Sequence, residues 1–450
     1  MRKIVIEGGN KLYGSIKIQG AKNSVLPLLS ASILNEGISV FQNVPNISDV
    51  AAAMKILRHL GCAAELKCGA LTVDAREITT TEIPDGLMRE MRSSVIFLGA
   101  ILARCGEVTL SYPGGCELGP RPIDMHIKAL RDLGADIHEN AGKIRCLIPA
   151  GQRLTGRRID FRGPSVGATE NAMIASVLAQ GTTIISNAAK EPEIWDLQMY
   201  LRKLGADIEG AGTSVITVRG IDACAMNVTH TIIPDRIVTG TYLCACAAAG
   251  GEILLTDCGP THIESLISVL RGWGCEINTS KTSIHIKTAG ARTASGSVVA
   301  EPYPAFPTDA APTLVAAASA VSGNFVFVEK IFSERFKYCR ELEKLGAEIT
   351  LFENSAMVSG GRELTGAKAA ATDLRGGAAL AVAGLCAKGI TEISEIQHIE
   401  RGYEDLVRDL KSVGANIMYI NTPEAAVSAD AKKRTDKPDG TGGGIGRIYA

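Results

Sequence analysis

The chain has 450 residues, 46% of them hydrophobic and 21% charged, and a formal net charge of −1. That is enough chain for two domains with cores of their own. The near-neutral balance argues against broad binding to nucleic acid or another polyanion, so any positive charge that matters must be local.

The opening "MRKIVIEGGNKLYG" alternates as a strand does and lacks the apolar core and cleavage site of a signal peptide, so the expected location is cytoplasmic. From there the chain keeps a beat of about seventy residues. A phrase close to L-G-A-x-I recurs six times, with its glycine at 61, 134, 205, 274, 346 and 414. A second phrase, glycine followed by a short β-rich run, precedes it each time, beginning at 37, 106, 181, 251, 323 and 389. Between the phrases lie amphipathic helical patterns such as "IWDLQMYLRKLG" and "YEDLVRDLKSVG", stopped by glycine. Each unit therefore reads strand, helix, strand, helix and a closing strand pair. Six such units divide into two domains of three with a cleft between them. No apolar run is long enough for a membrane span: "AALAVAGLCA", Ala378 to Ala387, stops after ten residues. The end, "NTPEAAVSADAKKRTDKPDGTGGGIGRIYA", is polar and glycine-rich and reads as a flexible tail, 421–450.

The beat also locates the unusual residues. The two glycines of a unit lie 24, 28, 24, 23, 23 and 25 residues apart, and the excess of the second unit falls in "YPGGCELGPRP". Cys116 thus stands on a loop insertion, where function tends to collect. The other eleven cysteines show no metal spacing; the close pair Cys244 and Cys246 reads as buried helix. There is no HExxH and no phosphate-binding P-loop, and "TGGGIGR" follows no strand, so neither a metal nor a nucleotide cofactor is expected.

Polar residues recur where helices begin. At the first helices stand Lys22 and Asn23, Arg92, Ser165, Asp235 and Arg236, Asp309, and Asp373 and Arg375; at the second, Arg121 and Asp124, Glu191 and Glu193, Glu334 and Arg335, and Glu400 and Arg401. Asp, Ser and Asn are ordinary caps there. Cations oppose the helix macrodipole, and converging helix N-termini with Lys22, Arg92, Arg121, Arg335 and Arg401 make a site for phosphates and carboxylates.

At these residues the chain resembles the enolpyruvyl transferases, in the branch that acts on UDP-N-acetylglucosamine. The resemblance runs from residue 1 to about 420. It is carried by "GAKN" (20–23), "MRSS" (91–94), "PGGCELGPRPIDMH" (113–126), "PSVGAT" (164–169), "AAKEPEI" (188–194), "PDRIVTGT" (234–241), "FPTD" (306–309), "ATDLR" (371–375) and "ERGYE" (400–404). It implies an α/β fold, a two-domain inside-out α/β barrel with three strand-helix units per domain. The domains would be 22–233, carrying the catalytic loop 112–122, and 1–21 plus 234–420. It implies transfer of the enolpyruvyl group of phosphoenolpyruvate to the 3′-hydroxyl of UDP-N-acetylglucosamine, with release of phosphate. Lys22, Arg121 and Arg401 would hold phosphoenolpyruvate. Cys116 would be the general acid, able to form a covalent pyruvyl adduct and open to a fosfomycin-type epoxide. Asp309 would be the base and Asn23 would hold the same hydroxyl. The nucleotide sugar would meet Arg92, Arg121, Pro122, Ile123, Asp124, Met125, Gly163, Pro164, Ser165, Val166 and Ile331. Departures from the pattern are Gly163 where some members have lysine, Val238 where glutamate is common, and no glutamine soon after Asp309. They leave a non-catalytic UDP-sugar-binding paralogue as the alternative. The sister enzyme acting on shikimate 3-phosphate fits less well, because "REMRSS" stands where a "GNAGTAMR"-type helix start would be.

Overall fold

Each of the six beats folds as a four-stranded sheet with helices against it. The computed structural model describes residues 2–91, 93–112, 123–140, 142–288 and 293–421. The third unit shows the plan: strand Arg158–Asp160, helix Val166–Val177, strand Thr182–Ser186, helix Pro192–Lys203, then the hairpin Asp207–Glu209 and Val215–Arg219. The first two strands pair in parallel and the hairpin joins antiparallel, as the order of the phrases predicts. All six glycines of the L-G-A phrase have φ between 83° and 104°. They turn the chain out of the second helix into the hairpin through a left-handed conformation that other residues adopt only at a cost. Three residues before that glycine, Arg58, Arg131, Arg202 and Arg271 each reach over the turn to a strand carbonyl, that of Ala64, Ile137, Ile208 and Ile277.

The two kinds of helix have different surroundings because their sequences differ. The first helices of the later units, Arg236–Ala249, Ala311–Ala320 and Leu374–Cys386, are rich in Ala, Gly and Cys, and nearly every residue is buried. Small side chains on all faces let them pack directly on one another at the centre. The second helices, such as Glu264–Gly272 with Leu266, Ile267 and Leu270 buried, offer one apolar face to the sheets. The sheets lie outside, with residues such as Val326 and Met357 on their solvent side. This is the inside-out α/β arrangement that the resemblance implied.

The buried apolar residues form two clusters. One runs from Ala21 to Ile232, and the other takes Ile4 to Ile18 together with Ile237 to Ile417. Three strands are exchanged over long sequence distances. Leu12–Lys17 lies parallel to Gly251–Thr256, Val228–Thr231 lies parallel to Ile38–Gln42, and Arg2–Glu7 sits between Ile390–Ser394 and Asn416–Asn421. The chain therefore crosses between clusters twice, and the crossings run side by side. Ala21 N donates to Ile233 O at 2.8 Å and Asp235 N to Gln19 O at 2.9 Å. Gly20 is required here, because a Cβ would stand 1.8 Å from Asn43 O. Among the described residues no helix is long and apolar enough to cross a membrane.

One expected helix start is corrected. Glu400 and Arg401 do not open the second helix of the last unit; Arg401 ends the 3-10 turn Ile396–Arg401. The helix Leu406–Ser412 begins later, where Asp405 caps it by accepting from Arg408 N at 2.9 Å.

Candidate active site

Lys22 is the first residue of the helix Lys22–Ala31, and its Nζ lies 3.1 Å from Asp49 Oδ2. Arg401 reaches the same carboxylate with two bonds, Nε to Oδ1 at 2.9 Å and an Nη to Oδ2 at 3.1 Å. The Asp49 side chain is only 2% exposed. Burial alone would raise its pKa, but Lys22 and then Arg401 outweigh it and hold the carboxyl below the ordinary range. Burial lowers the pKa of Lys22, with Arg401 and Arg375 adding to the effect and Asp49 only partly opposing it. One carboxylate shared between two cations leaves this triad at a formal +1.

A second triad stands beside it. Asp309, in the 3-10 turn Thr308–Ala310, is bonded by Arg335 and by Arg375, the latter through Nε at 3.3 Å and an Nη at 3.2 Å. The two arginine side chains are 1% and 4% exposed. Burial pushes the Asp309 carboxyl upward, but Arg375, Arg335 and more distant Lys22 overcome it and hold it far below the usual carboxylate range. This triad too is a carboxylate between two cations. The pair together carry a formal +2, concentrated in a chain whose net charge is −1.

The segments expected to hold a nucleotide lie at two neighbouring helix starts. Ile123 precedes the helix Asp124–Asp132, and Ser165 caps the helix Val166–Val177 by accepting from Ala168 N at 3.4 Å. Asp124 is not a cap; it pairs with Arg162, 2.9 Å away, which ties the first start to the Gly163–Val166 segment. Ile123, Met125, Gly163, Ser165 and Val166 are half-buried, and Pro164 is exposed. Ile331 is 38% exposed, beyond the strand Gly323–Glu329. Its N–H donates to Glu329 at 2.6 Å, and the other oxygen of Glu329 accepts from Thr308 at 2.6 Å, so Ile331 is linked to the turn that carries Asp309. Asn23 is half-buried beside Lys22. Arg92, Cys116, Arg121 and Pro122 lie outside the described residues.

The family described as EPSP synthase (3-phosphoshikimate 1-carboxyvinyltransferase) matches residues 6–410. The chain belongs to this family. Within it, the chain is 48% identical to UDP-N-acetylglucosamine 1-carboxyvinyltransferase 2 of Caldanaerobacter subterraneus subsp. tengcongensis, over 93% of this chain and 100% of that protein. It is 43% identical to UDP-N-acetylglucosamine 1-carboxyvinyltransferase of Myxococcus xanthus, over 93% of this chain and 99% of that one. Among solved structures, the enolpyruvyl transferase NikO from Streptomyces tendae superimposes with a TM-score of 0.84 at 26% identity, covering 94% of this chain and 99% of that one. EPSP synthase from Acinetobacter baumannii shares the fold, with a TM-score of 0.71 at 20% identity, over 94% of this chain and 100% of that one.

The resemblance singled out Lys22, Arg401 and Asp309, and the family fold brings these three together from residues far apart in the chain. Asp49 was not singled out. The signal that could have found it is positional: "NISDV" opens the second helix of the first unit, the junction that carries Arg121 and Asp124 one beat later. Asp235 and Asp373 are caps, the first for Ile237 N and Val238 N, the second for Arg375 N and Gly376 N. Glu193 is no cap; it pairs with Arg236 at 2.9 Å between the two clusters.

Because Asp49 is held below its unfolded value, it contributes stability above a pH of about 4 and loses it as pH falls through the folded value. Asp49→Asn is expected to cost about 2–3 kcal/mol near neutral pH, since it leaves two cations without their shared partner. The gap to wild type should hold from neutral pH down to about 4 and narrow below that, as pH falls through the folded value. Denaturant titrations across that range check this; a constant gap, or none, would contradict it.

Proposed function

We infer that this chain transfers the enolpyruvyl group of phosphoenolpyruvate to the 3′-hydroxyl of UDP-N-acetylglucosamine and releases phosphate, the first committed step of peptidoglycan precursor synthesis. The observation that carries the reading is the pair of triads with its +2 surplus. Phosphoenolpyruvate brings a carboxylate and a phosphate, and cations held in place by the carboxylates of Asp49 and Asp309 meet it without reorganising. Seven relatives at 41–48% identity bear the name UDP-N-acetylglucosamine 1-carboxyvinyltransferase, which supports this acceptor.

In this reading Lys22, Arg121 and Arg401 bind phosphoenolpyruvate, while Asn23 and Asp309 hold the acceptor hydroxyl. Arg92, Arg121 to Met125, Gly163 to Val166 and Ile331 hold the nucleotide sugar. Cys116 donates a proton to the methylene carbon, the hydroxyl adds to the neighbouring carbon, and loss of a methyl proton expels phosphate. The hydroxyl proton leaves through Asp309. The thiol can instead add across the double bond, sulfur to that neighbouring carbon and its proton to the methylene carbon, giving a covalent pyruvyl-type adduct that still carries the phosphate. Residues 22–233 and 1–21 plus 234–420 act as domains that close on the substrates, with the loop 112–122 over them. The enzyme works in the cytoplasm in this reading.

Cys116 is also the thiol that a fosfomycin-type epoxide would alkylate. Of the other eleven cysteines, eight are buried, Cys105 and Cys386 are half-buried and Cys68 is exposed. Burial pushes Cys62, Cys146, Cys244 and Cys339 up to about 12, which suppresses their thiolates. Proton NMR of the reaction mixture tests the transfer. Vinyl protons on a product that retains the UDP-sugar are expected; unchanged UDP-N-acetylglucosamine after prolonged incubation would refute it.

A further inference from the structure

Beneath the first turn of the Lys22–Ala31 helix lies a polar cluster that the transfer chemistry does not use. Asp196, on the helix Pro192–Lys203, is 1% exposed. One of its oxygens accepts from Ser24 Oγ and, at 3.4 Å, from Ile233 N; the other accepts from His230 Nε2 at 2.9 Å. Ser24 is fully buried and follows Lys22 and Asn23 directly. His230, 4% exposed, lies on the strand Val228–Thr231, and Ile233 lies on the second crossing between the clusters. The same helix start is held from its other side, where Lys22 N donates to Asp235 at 3.1 Å, just past that crossing.

A buried ionisable pair is a poor choice for stability alone, since apolar residues fill such a slot without the desolvation cost. The imidazole makes the point sharper. Its Nδ1 is buried with no partner among the described residues, so the polar ring accepts an unsatisfied nitrogen in return for one bond to Asp196. What that bond secures is the placement of Asp196, and what Asp196 grips is the start of the helix that presents Lys22 and Asn23, together with the crossing.

We propose that Asp196, held by His230, is a positioning residue for the transfer reaction. Through Ser24 and Ile233 it makes the Lys22–Asn23 corner and the 232–235 crossing one rigid unit, so that Lys22 and Asn23 keep their place when the two halves close. This rests on the enolpyruvyl-transfer reading of the site. Asp196 touches no substrate; its effect is on geometry, and a misplacement of about 1 Å at a reacting group costs on the order of a hundredfold in rate.

Steady-state kinetics of the full chain, with phosphoenolpyruvate and UDP-N-acetylglucosamine, test this. Asp196→Ala is expected to lower kcat about a hundredfold, and Ser24→Ala about tenfold. KM for UDP-N-acetylglucosamine should stay within about twofold, because neither residue touches the Ile123–Met125 or Gly163–Val166 segments. Asp196→Asn should recover most of the rate, since the amide oxygen can accept from Ser24 and Ile233 N while its NH2 donates to His230 Nε2 in the other tautomer. Leu201→Ala, a fully buried change on the same helix, is the control for lost stability and should leave kcat near wild type well below its unfolding temperature. Wild-type kcat in Ser24→Ala, an equal fall in Leu201→Ala, or no recovery in Asp196→Asn would overturn the proposal. If Asp196→Ala does not fold, Ser24→Ala and Asp196→Asn decide it. If the wild-type chain releases no phosphate, it is the transfer reading that fails.

Discussion

Replacing Cys116 with alanine is expected to lower phosphate release by a factor of about 10²–10⁴ while leaving UDP-N-acetylglucosamine binding nearly unchanged. The methylene carbon of phosphoenolpyruvate is a weak base, and its protonation needs a positioned acid. A thiol with an ordinary pKa of about 8.5 is mostly protonated at neutral pH yet gives up its proton readily. Alanine removes the donor without adding bulk, and serine supplies a hydroxyl far too weak as an acid to replace it. Both variants should therefore fail in turnover and keep the affinity set by the nucleotide segments. Titration calorimetry with UDP-N-acetylglucosamine and a phosphate assay separate the two effects. Full turnover in Cys116→Ala would move the acid role to another group.

Asp309→Asn is the second large effect expected, again about 10²–10⁴ in kcat. Arg375 and Arg335 hold the carboxylate ionised and so make it a weak base while both bonds last. Once the hydroxyl oxygen bonds to the substrate carbon its proton becomes strongly acidic, so a weak carboxylate base suffices to take it. Asparagine keeps the shape and cannot accept that proton. Because Asp309 is ionised throughout the working range in the free enzyme, the acid limb of kcat/KM should be the same in wild type and variant. A variant that keeps its rate, or one that shifts the acid limb, would contradict this role.

Most of the repeat was legible in the sequence, and the reason is local. The six L-G-A glycines mark a left-handed turn that must follow the second helix wherever it occurs, so the backbone requirement shows as a fixed letter. The Ala- and Gly-rich first helices likewise announce burial on all faces. The exchanged strands were not legible. Leu12–Lys17 looks like any alternating strand, and its partner Gly251–Thr256 is more than two hundred residues away; only the ring closure of each half fixes the pair.

The site divides in the same way. Lys22, Asp309 and Arg401 stand out because their motifs are distinctive. Asp49 does not, and although the sequence marks Arg335 and Arg375 at helix starts, nothing in it pairs them with Asp309, because a counter-charge is chosen by proximity in the fold. Asp49 meets Arg401 across 352 residues and Arg375 meets Asp309 across 66. From their places at helix starts Asp124 and Glu193 read as caps or as partners that support site residues. Both are ion-pair partners, and which arginine each meets, Arg162 or Arg236, is set only by folding.

Phosphate release from phosphoenolpyruvate, measured with UDP-N-acetylglucosamine and, separately, with shikimate 3-phosphate as acceptor, tests the central claim most directly. Release with the nucleotide sugar alone is the predicted result. Release only with shikimate 3-phosphate, or none with either acceptor despite tight UDP-N-acetylglucosamine binding, would contradict it. The first outcome would assign the sister reaction, and the second a binding protein that has kept the fold without the transfer.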